Sequence, residues 1–467
     1  MPKGAIAAEL QVPDLDIDTD VLAQGHKTAG FWQRLAFEPL SSVGYRLFRR
    51  GEHWRSKLPS KGDVYILSEN GLQKDTAFHL AMSGYRLKSM PAINLQVDAA
   101  LPFQSTHETI FSRSISKLKR TLMMSDEAEG SFRKVITERF AKELTTLTLS
   151  ETKFEGWINR LARRPIACLG NAKVSSMGLG LHRALKKQSI PLIGFQHAVT
   201  VELHAAHRHV AVEWDNVGND LVFVYNDRAV ELLTLNPFGG GKVVSVGAAR
   251  ELRRVVRKSA RVNGPAIFYV STALYTGHWQ MAAMKGVPDS EKAEREIALI
   301  RDVFRKMPHR MLYKPYPALR YIDPDPVIRE ARLYGNIEIH KGNEDLRYLM
   351  QSARLLITSR ATSTLSWCLM SGRPVIYIDH PYDLPLEADV RSALNEAVFV
   401  FDSRDPDYAA KILDLLELPL YQIEELAKEK QDARKRFLRK FIDTDLGVAG
   451  SIAANYLECE LFPVAQA

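Results

Sequence analysis

Six consecutive residues, Ser359-Arg360-Ala361-Thr362-Ser363-Thr364, follow the apolar run Leu355-Leu356-Ile357-Thr358 and open a second apolar stretch ending at Met370. A strand, a hydroxyl-rich turn and a helix in that order bring unpaired backbone N–H groups and the positive end of a helix dipole to one point. Arg360, Thr362, Ser363 and Thr364 add a guanidinium and hydroxyls there, which is chemistry suited to holding a phosphate. Ser and Thr also simply cap helices, and this segment alone supports both readings equally.

Three further strand ends carry reactive side chains. Gln196-His197 follows Pro191-Leu192-Ile193-Gly194-Phe195. An imidazole there is placed to act as a general base, because it titrates near neutrality; a lone His is more often structural. His204, His207 and His209 form a His-x-x-His-x-His string without a Cys or carboxylate at ligand spacing, so no metal site is expected and the three are read as loop residues. Tyr313-Lys314-Pro315-Tyr316-Pro317 ends another strand, with Arg320 close behind. Lys314 and Arg320 suit diphosphate oxygens and Tyr316 a hydrogen bond, against an ordinary surface turn. Asp379-His380-Pro381-Tyr382-Asp383 is the fourth such end, and Gln196, Arg250, His380 and Asp383 complete the cleft candidates. Gly239-Gly240-Gly241 precedes a strand instead of following one, so it reads as a turn and not as a dinucleotide fingerprint.

The elements that must position these residues are strands and helices in alternation. DVYILS, RPIACLG, IPLIGFQH, LVFVYN, KVVSVG, AIFYVST, MLYKPYP, NIEIHKG, RLLITS, RPVIYIDH and AVFVFDS are short apolar runs separated by helical stretches or turn residues. That pattern predicts an α/β protein with two Rossmann-like domains whose parallel sheets face each other across a cleft. The charged segment Glu251–Pro265 separates two series of strands. The expected division is 1–60, a leader and amphipathic segment; 61–255, an N-terminal Rossmann-like domain; 256–420, a C-terminal Rossmann-like domain; and 421–467, C-terminal helices whose Lys428, Lys430, Arg434, Lys435, Arg436, Arg439 and Lys440 form a solvated basic face.

With 46% hydrophobic and 25% charged residues over 467 positions, the chain reads as an ordinary soluble protein of two to three domains. It contains no apolar run of spanning length, and its first residues lack the basic start and apolar core of a secretory signal. Cys168, Cys368 and Cys459 are odd in number and far apart, which fits a reduced cytoplasmic setting. A net charge of +8 fits anionic substrates or a membrane surface and does not single out nucleic acid. Residues 26–58 mix Phe31, Trp32, Leu35, Phe37, Tyr45, Phe48 and Trp54 with Arg46, Arg49, Arg50, Arg55 and Lys57, as a weakly membrane-associating segment would. A helix pair packed on its own domain is the preferred reading.

Taken in order, Gln196-His197, Tyr225–Asp227, Val246–Arg250, Lys314–Pro317 and the stretch from Glu344 to Ile378 resemble a known succession. It is similar to bacterial surface-polymer transferases of the GT-B fold, the group containing CDP-glycerol glycerophosphotransferases, polysialyltransferases and capsule Kdo transferases. Gln196-His197-Ala198 stands where the teichoic-acid enzymes carry Trp-His-Gly, and Gly247–Arg250 where they carry Gly-x-Pro-Arg. Thr362-Ser363 stands at the spacing of their Ser pair. Tyr316 replaces the His of their His-Pro, and Ser359 or Arg360 the Asp before the Ser pair. The part from Lys314 to Asp402 is closer to a family of uncharacterised surface-carbohydrate transferases. The resemblance covers about 190–405 and implies a nucleotide-sugar donor, with a CMP-linked acidic sugar preferred. It also implies a glycan or glycolipid acceptor, no cofactor, a cytoplasmic or peripheral inner-membrane location, and His197 as base. A non-catalytic scaffold of polysaccharide export, a UDP-sugar 2-epimerase using Asp215, Asp227 or Glu213, and a CDP-glycerol-type phosphotransferase are the alternatives.

Overall fold

The computed structural model describes residues 40–50, 59–91, 105–171, 175–205, 215–235, 240–253, 264–271, 287–316, 325–341, 346–350, 352–444 and 447–462. They form two six-stranded sheets in which every pairing is parallel. The first contains β1 (Asp63–Ile66), β2 (Arg86–Ser89), β3 (Pro165–Leu169), β4 (Leu192–Phe195), β5 (Leu221–Val224) and β6 (Lys242–Ser245), in the order β2-β1-β3-β4-β5-β6. The second contains β7 (Ile267–Val270), β8 (Met311–Lys314), β9 (Ile337–Ile339), β10 (Leu355–Thr358), β11 (Val375–Asp379) and β12 (Phe399–Asp402), in the order β9-β8-β7-β10-β11-β12. The expected α/β architecture of two Rossmann-like sheets is therefore what the chain adopts.

The central strands read as continuous apolar runs because both faces of each sheet are covered. Side chains alternate between two packed layers. Ile267, Tyr269, Leu355, Ile357, Ile376 and Ile378 face one layer, and Phe268, Val270, Leu356, Val375 and Tyr377 face another. That second layer is continuous with Val64, Ile66, Ala167, Leu169, Ile193, Phe195 and Phe223 of the first sheet. One apolar core thus joins the inner faces of both sheets.

Strand order reverses direction between β1 and β3 in the first sheet and between β7 and β10 in the second. In open parallel sheets the crevice outside the carboxyl ends of the strands at such a reversal is where ligands bind. The Ser359–Thr364 turn follows β10, at the second reversal. Gly71 follows β1 and Asn171 follows β3, at the first. Gly170, with φ +132 and the Ser68 amide against it, lets the chain turn sharply enough to aim Asn171 inward.

Of two expectations about the flanks, one holds where it is described and one needs correction. Of the aromatic segment 26–58, the helix Leu40–Arg50 lies within the described residues. It packs on the helix Gly71–Met82, with Tyr45 buried and Gly44 close against Phe78, while Leu40 and Leu47 stay exposed. For that part the packed reading holds; Phe31, Trp32, Leu35, Phe37, Trp54, Arg55 and Lys57 lie outside the described residues. The basic tail is not uniformly solvated. Arg434 is buried and Lys430 donates to the carbonyl of Asn395. The last helix, Ala449–Glu460, crosses back to the first sheet and packs along Gly71–Met82. Among the described residues, no helix is long and apolar enough to cross a membrane.

Candidate active site

A cavity of about 90 Å³ lies between the two sheets. Gly71, His197, Ala198, Val199, Tyr225, Ala249, Glu251 and Leu252 line it from the first sheet, and Ser363, Ser366 and Trp367 from the second. The wall groups thus come from the ends of β1, β4, β5, β6 and β10. A Cβ at Gly71 would meet Glu251 Oε2 at 2.9 Å and Ala249 Cβ at 3.2 Å, so a side chain there would have to displace the Glu251 carboxylate.

On the first wall His197 is half-exposed, with 46% of its side chain accessible, and its Nδ1 lies 3.7 Å from Asp215 Oδ1. Asp215 is itself buried and held by Asn171 Nδ2, which donates to its Oδ1 over 2.6 Å. Asn171 also donates to the Phe195 carbonyl at 2.8 Å and accepts from the Phe195 amide at 2.7 Å. The strand end carrying His197 and the carboxylate facing it are therefore fixed by one side chain. A carboxylate at Nδ1 stabilises the imidazolium that forms when Nε2, at the opposite edge of the ring, takes a proton.

Behind this wall lies Glu202, fully buried. It accepts from Gln196 Nε2 at 2.7 Å, Asn226 Nδ2 at 3.0 Å and the Thr200 amide at 3.0 Å. Burial outweighs these bonds and pushes its carboxyl up to about 7. Gln196 also accepts from the Tyr225 amide through Oε1. It is a brace inside the wall, which corrects its expected role as a cleft residue, and it is brace-like because a buried amide must spend its donors and acceptor locally.

The second wall is the helix Ser363–Met370. Its N-cap residue Thr362 makes no side-chain capping bond. By contrast Asn70, Ser125, Ser175 and Asn226 each accept from a backbone amide at the start of their helices. The far end is closed by Arg434, whose buried guanidinium donates to the Leu369 and Cys368 carbonyls over 2.9 Å and to the Arg373 carbonyl. A cation thus complements the negative end of the dipole. Burial lowers that guanidinium to about 10. Ser363 faces the cavity; Thr364, half-buried, is not among its lining residues.

The remaining sequence candidates are distributed elsewhere. Arg360 is buried with Nε 3.5 Å from Asp383 Oδ2, and Asp383 also accepts from the Val287 amide. His380 is buried beside this pair and burial lowers it to about 4. Arg360, His380 and Asp383 therefore lie buried beneath the turn, with Arg360 and Asp383 an ion pair, and do not line the cavity. Lys314 is buried at the end of β8, and β7 separates β8 from β10. That places it about two strand spacings, roughly 10 Å, from the turn. Tyr316 is half-buried just beyond, and Arg320 lies outside the described residues. Arg250 is not a lining residue, but its neighbour Glu251 is, paired across the cleft with Arg347. Of the epimerase carboxylates, Asp215 faces His197, Asp227 is exposed at the start of Asp227–Thr234, and Glu213 lies outside the described residues. His204 is fully buried and not a loop residue in solvent; His207 and His209 lie outside the described residues. No group of metal-ligating side chains occurs among the described residues.

Sequence reasoning missed Asn171, Glu202, Glu251 and Trp367. Only Glu251 carried a usable signal, since it directly follows the strand-end Val246–Arg250.

No protein-family model matches the chain, and no curated protein matches it in sequence. Among solved structures it is similar to MnaA of S. aureus in complex with UDP, at 11% identity and TM-score 0.47, covering 86% of this chain and 97% of that one. It is similar to UGT89C1 of Arabidopsis thaliana complexed with UDP, at 12% identity and TM-score 0.47, covering 86% and 100%. HepE of Anabaena in complex with UDP and glucose aligns at 12% identity and TM-score 0.40, covering 85% and 99%. At that distance, what those proteins bind does not transfer to this chain.

Proposed function

We propose that this protein is a glycosyltransferase that moves a sugar from a nucleotide-activated donor to a surface glycan or glycolipid acceptor. The observation that carries the reading is that His197, backed by Asp215, and Ser363, at an uncapped helix N-terminus, line one cavity. One wall can take a proton and the other can hold an anion. Direct displacement of a nucleotide by an acceptor hydroxyl draws on both.

In this reading the unit 61–255 takes the acceptor and the unit 256–420 the donor. The phosphates sit against the amides and hydroxyls of Thr362, Ser363 and Thr364, where the dipole favours the charge that builds up as the nucleotide leaves. Lys314 ends β8 and Tyr316 follows it, toward the far end of such a donor; Arg320 is the third residue proposed for that donor. His197 removes the proton from the acceptor hydroxyl as its oxygen attacks the anomeric carbon. The bond from that carbon to the phosphate oxygen breaks, and the nucleotide departs with the electron pair. Asp215 stabilises the imidazolium. The preference for a CMP-linked acidic sugar comes from the sequence resemblance alone.

A second reading, a UDP-sugar 2-epimerase, is favoured by the Glu251 carboxylate on the cavity wall. Thermal-shift titration with CMP, CDP, UDP and GDP tests both at once, because a ligand of the native state raises stability by mass action. Incubation of the best nucleotide's sugar conjugates without acceptor then separates them. The epimerase inverts a sugar carbon in that mixture; the transferase leaves the donor intact until an acceptor glycan is added. Absence of any stabilising nucleotide would overturn both and leave a scaffold.

A further inference from the structure

The segment that begins with His197 does not end on its own side of the cleft. It closes first on Glu202, which gathers Gln196, Thr200 and Asn226. Its far end then reaches the second sheet. The Leu203 carbonyl accepts from the Glu387 amide at 3.1 Å, and His204 Nε2 lies 2.8 Å from the Ala361 carbonyl. A carbonyl can only accept, so His204 donates through Nε2 and carries its proton there. Ala361, itself fully buried, is the residue immediately before the N-cap Thr362. A stretch of eight residues, His197 to His204, thus runs from the base to the backbone of the turn facing it.

We infer that His204 is a positioning residue that sets the anion-holding turn Ala361–Thr364 in register with His197. The claim rests on the function proposed above for those two groups. Three features fit it. The bond crosses between the two sheets, at a point where a displacement of the turn would change the distance from Ser363 to His197. The ring is fully buried, so a donor lost there is not replaced by water and the carbonyl is left unpaired. The ring is also held neutral: burial lowers it to about 4, with Arg360 and Asp383 as its charged neighbours, so the donor–acceptor sense is fixed at neutral pH. A histidine whose role was only to fill the interface would not need a polar atom aimed at that carbonyl.

The test compares wild type with His204→Ala and His204→Gln, whose amide nitrogen can stand where Nε2 stood. Hydrogen exchange of the 359–366 amides, titration with UDP, CDP and CMP, and steady-state kinetics are measured on each. In His204→Ala the amides of 361–365 should exchange about ten-fold faster or more, while those of β10 stay protected. Turnover should fall by up to about 10²-fold, the size of effect that a 1 Å misplacement produces, with a smaller rise in KM. His204→Gln should recover most of both. A purely structural histidine would lower the melting temperature but leave KM, the nucleotide Kd and local exchange of the folded protein unchanged, and that result overturns the inference. So does a folded His204→Gln that behaves as the alanine variant does. If His204→Ala does not fold, His204→Asn, too short to reach Ala361, takes its place. If wild type binds no nucleotide, the proposed function falls, and local exchange alone then decides whether His204 holds the turn.

Discussion

Two strand ends face each other in this molecule and are built in opposite ways. At the end of β4 every polar group near His197 is engaged: Asn171 spans Phe195 and Asp215, Gln196 spans Tyr225 and Glu202, and Asn226 caps its helix while reaching Glu202 and the carbonyl of Phe441. At the end of β10, Thr362 leaves the start of its helix uncapped, and the stabilising cation sits at the other end of that helix, in Arg434. The first arrangement fixes the strand end that carries the imidazole and the carboxylate that faces it. The second leaves hydrogen-bonding capacity to be completed by something else. A general base gains from a fixed surround, since proton transfer is sensitive to geometry, whereas an anion site must keep its donors unspent until the anion arrives.

The contrast predicts that damage to the two ends separates kinetically. His197→Ala should lose about 10²–10⁴-fold in turnover with nucleotide affinity nearly unchanged, since the base acts on the acceptor; turnover and nucleotide Kd measured on the same preparation check this. Full activity in that variant removes the base from the mechanism. Ser363→Ala combined with Thr364→Val should do the reverse. Nucleotide binding should weaken by about 1–3 kcal/mol, as lost hydrogen bonds to a charged group do, with the melting temperature of the free protein little altered. An unchanged Kd would return the turn to a capping role.

Buried titratable groups sharpen the same contrast through pH. Glu202, behind the base, is an acid pushed up to about 7, whereas His380, beneath the turn, is a base held down to about 4, as is His204. Between pH 6.5 and 4.5 the unfolded chain takes up a proton at each histidine while the native state does not, which removes stability as pH falls. Over the same window the native state alone holds a proton on Glu202, a contribution lost as pH rises through 7. Between them, these two histidines and the one glutamate contribute a net loss on acidification of about 1.4 kcal/mol per pH unit. Urea denaturation at pH 7, 6 and 5 should show that fall, steeper in Glu202→Gln and shallower in His380→Gln. The smallest effect concerns the caps. Ser175→Ala should cost about 1 kcal/mol, because its hydroxyl accepts from the Gly178 amide. Thr362→Ala should change stability by less than about 0.5 kcal/mol, having no such bond to lose. Denaturation midpoints of the two variants decide it.

The strand ends were legible in the sequence because their signals are local: apolar runs of four or five residues, then turn chemistry, then a helix. His197 and Ser363 could be singled out that way and given opposite walls. What supports them could not. Asn171 and Asp215 stand 44 positions apart, after β3 and between β4 and β5, and the strand order β3-β4-β5 brings them together. Arg434 sits in a run of basic residues that reads as a solvated face, and only the packing of two helices reveals that it closes another helix's end. His204 belongs to a string of histidines that suggests a metal or a loop, and neither reading anticipates a carbonyl on the other sheet. Arg360, His380 and Asp383 were expected to meet a ligand and instead lie buried, Arg360 paired with Asp383. Sequence shows which groups a strand end offers; it does not show which are already taken.

The return of Ala449–Glu460 to the first sheet bears on how the protein is made. Gly450 lies so close to Asp75 that any side chain there would collide with it, and Leu457 and Phe462 join the same core as Leu72, Leu80 and Tyr85. The surface that this helix covers is synthesised more than 360 residues earlier than the helix itself. On the ribosome, the first sheet must wait for more than 360 further residues to be translated before its apolar flank is sealed. Its folding therefore depends on a contact of very long sequence range, the kind that forms late and slows folding.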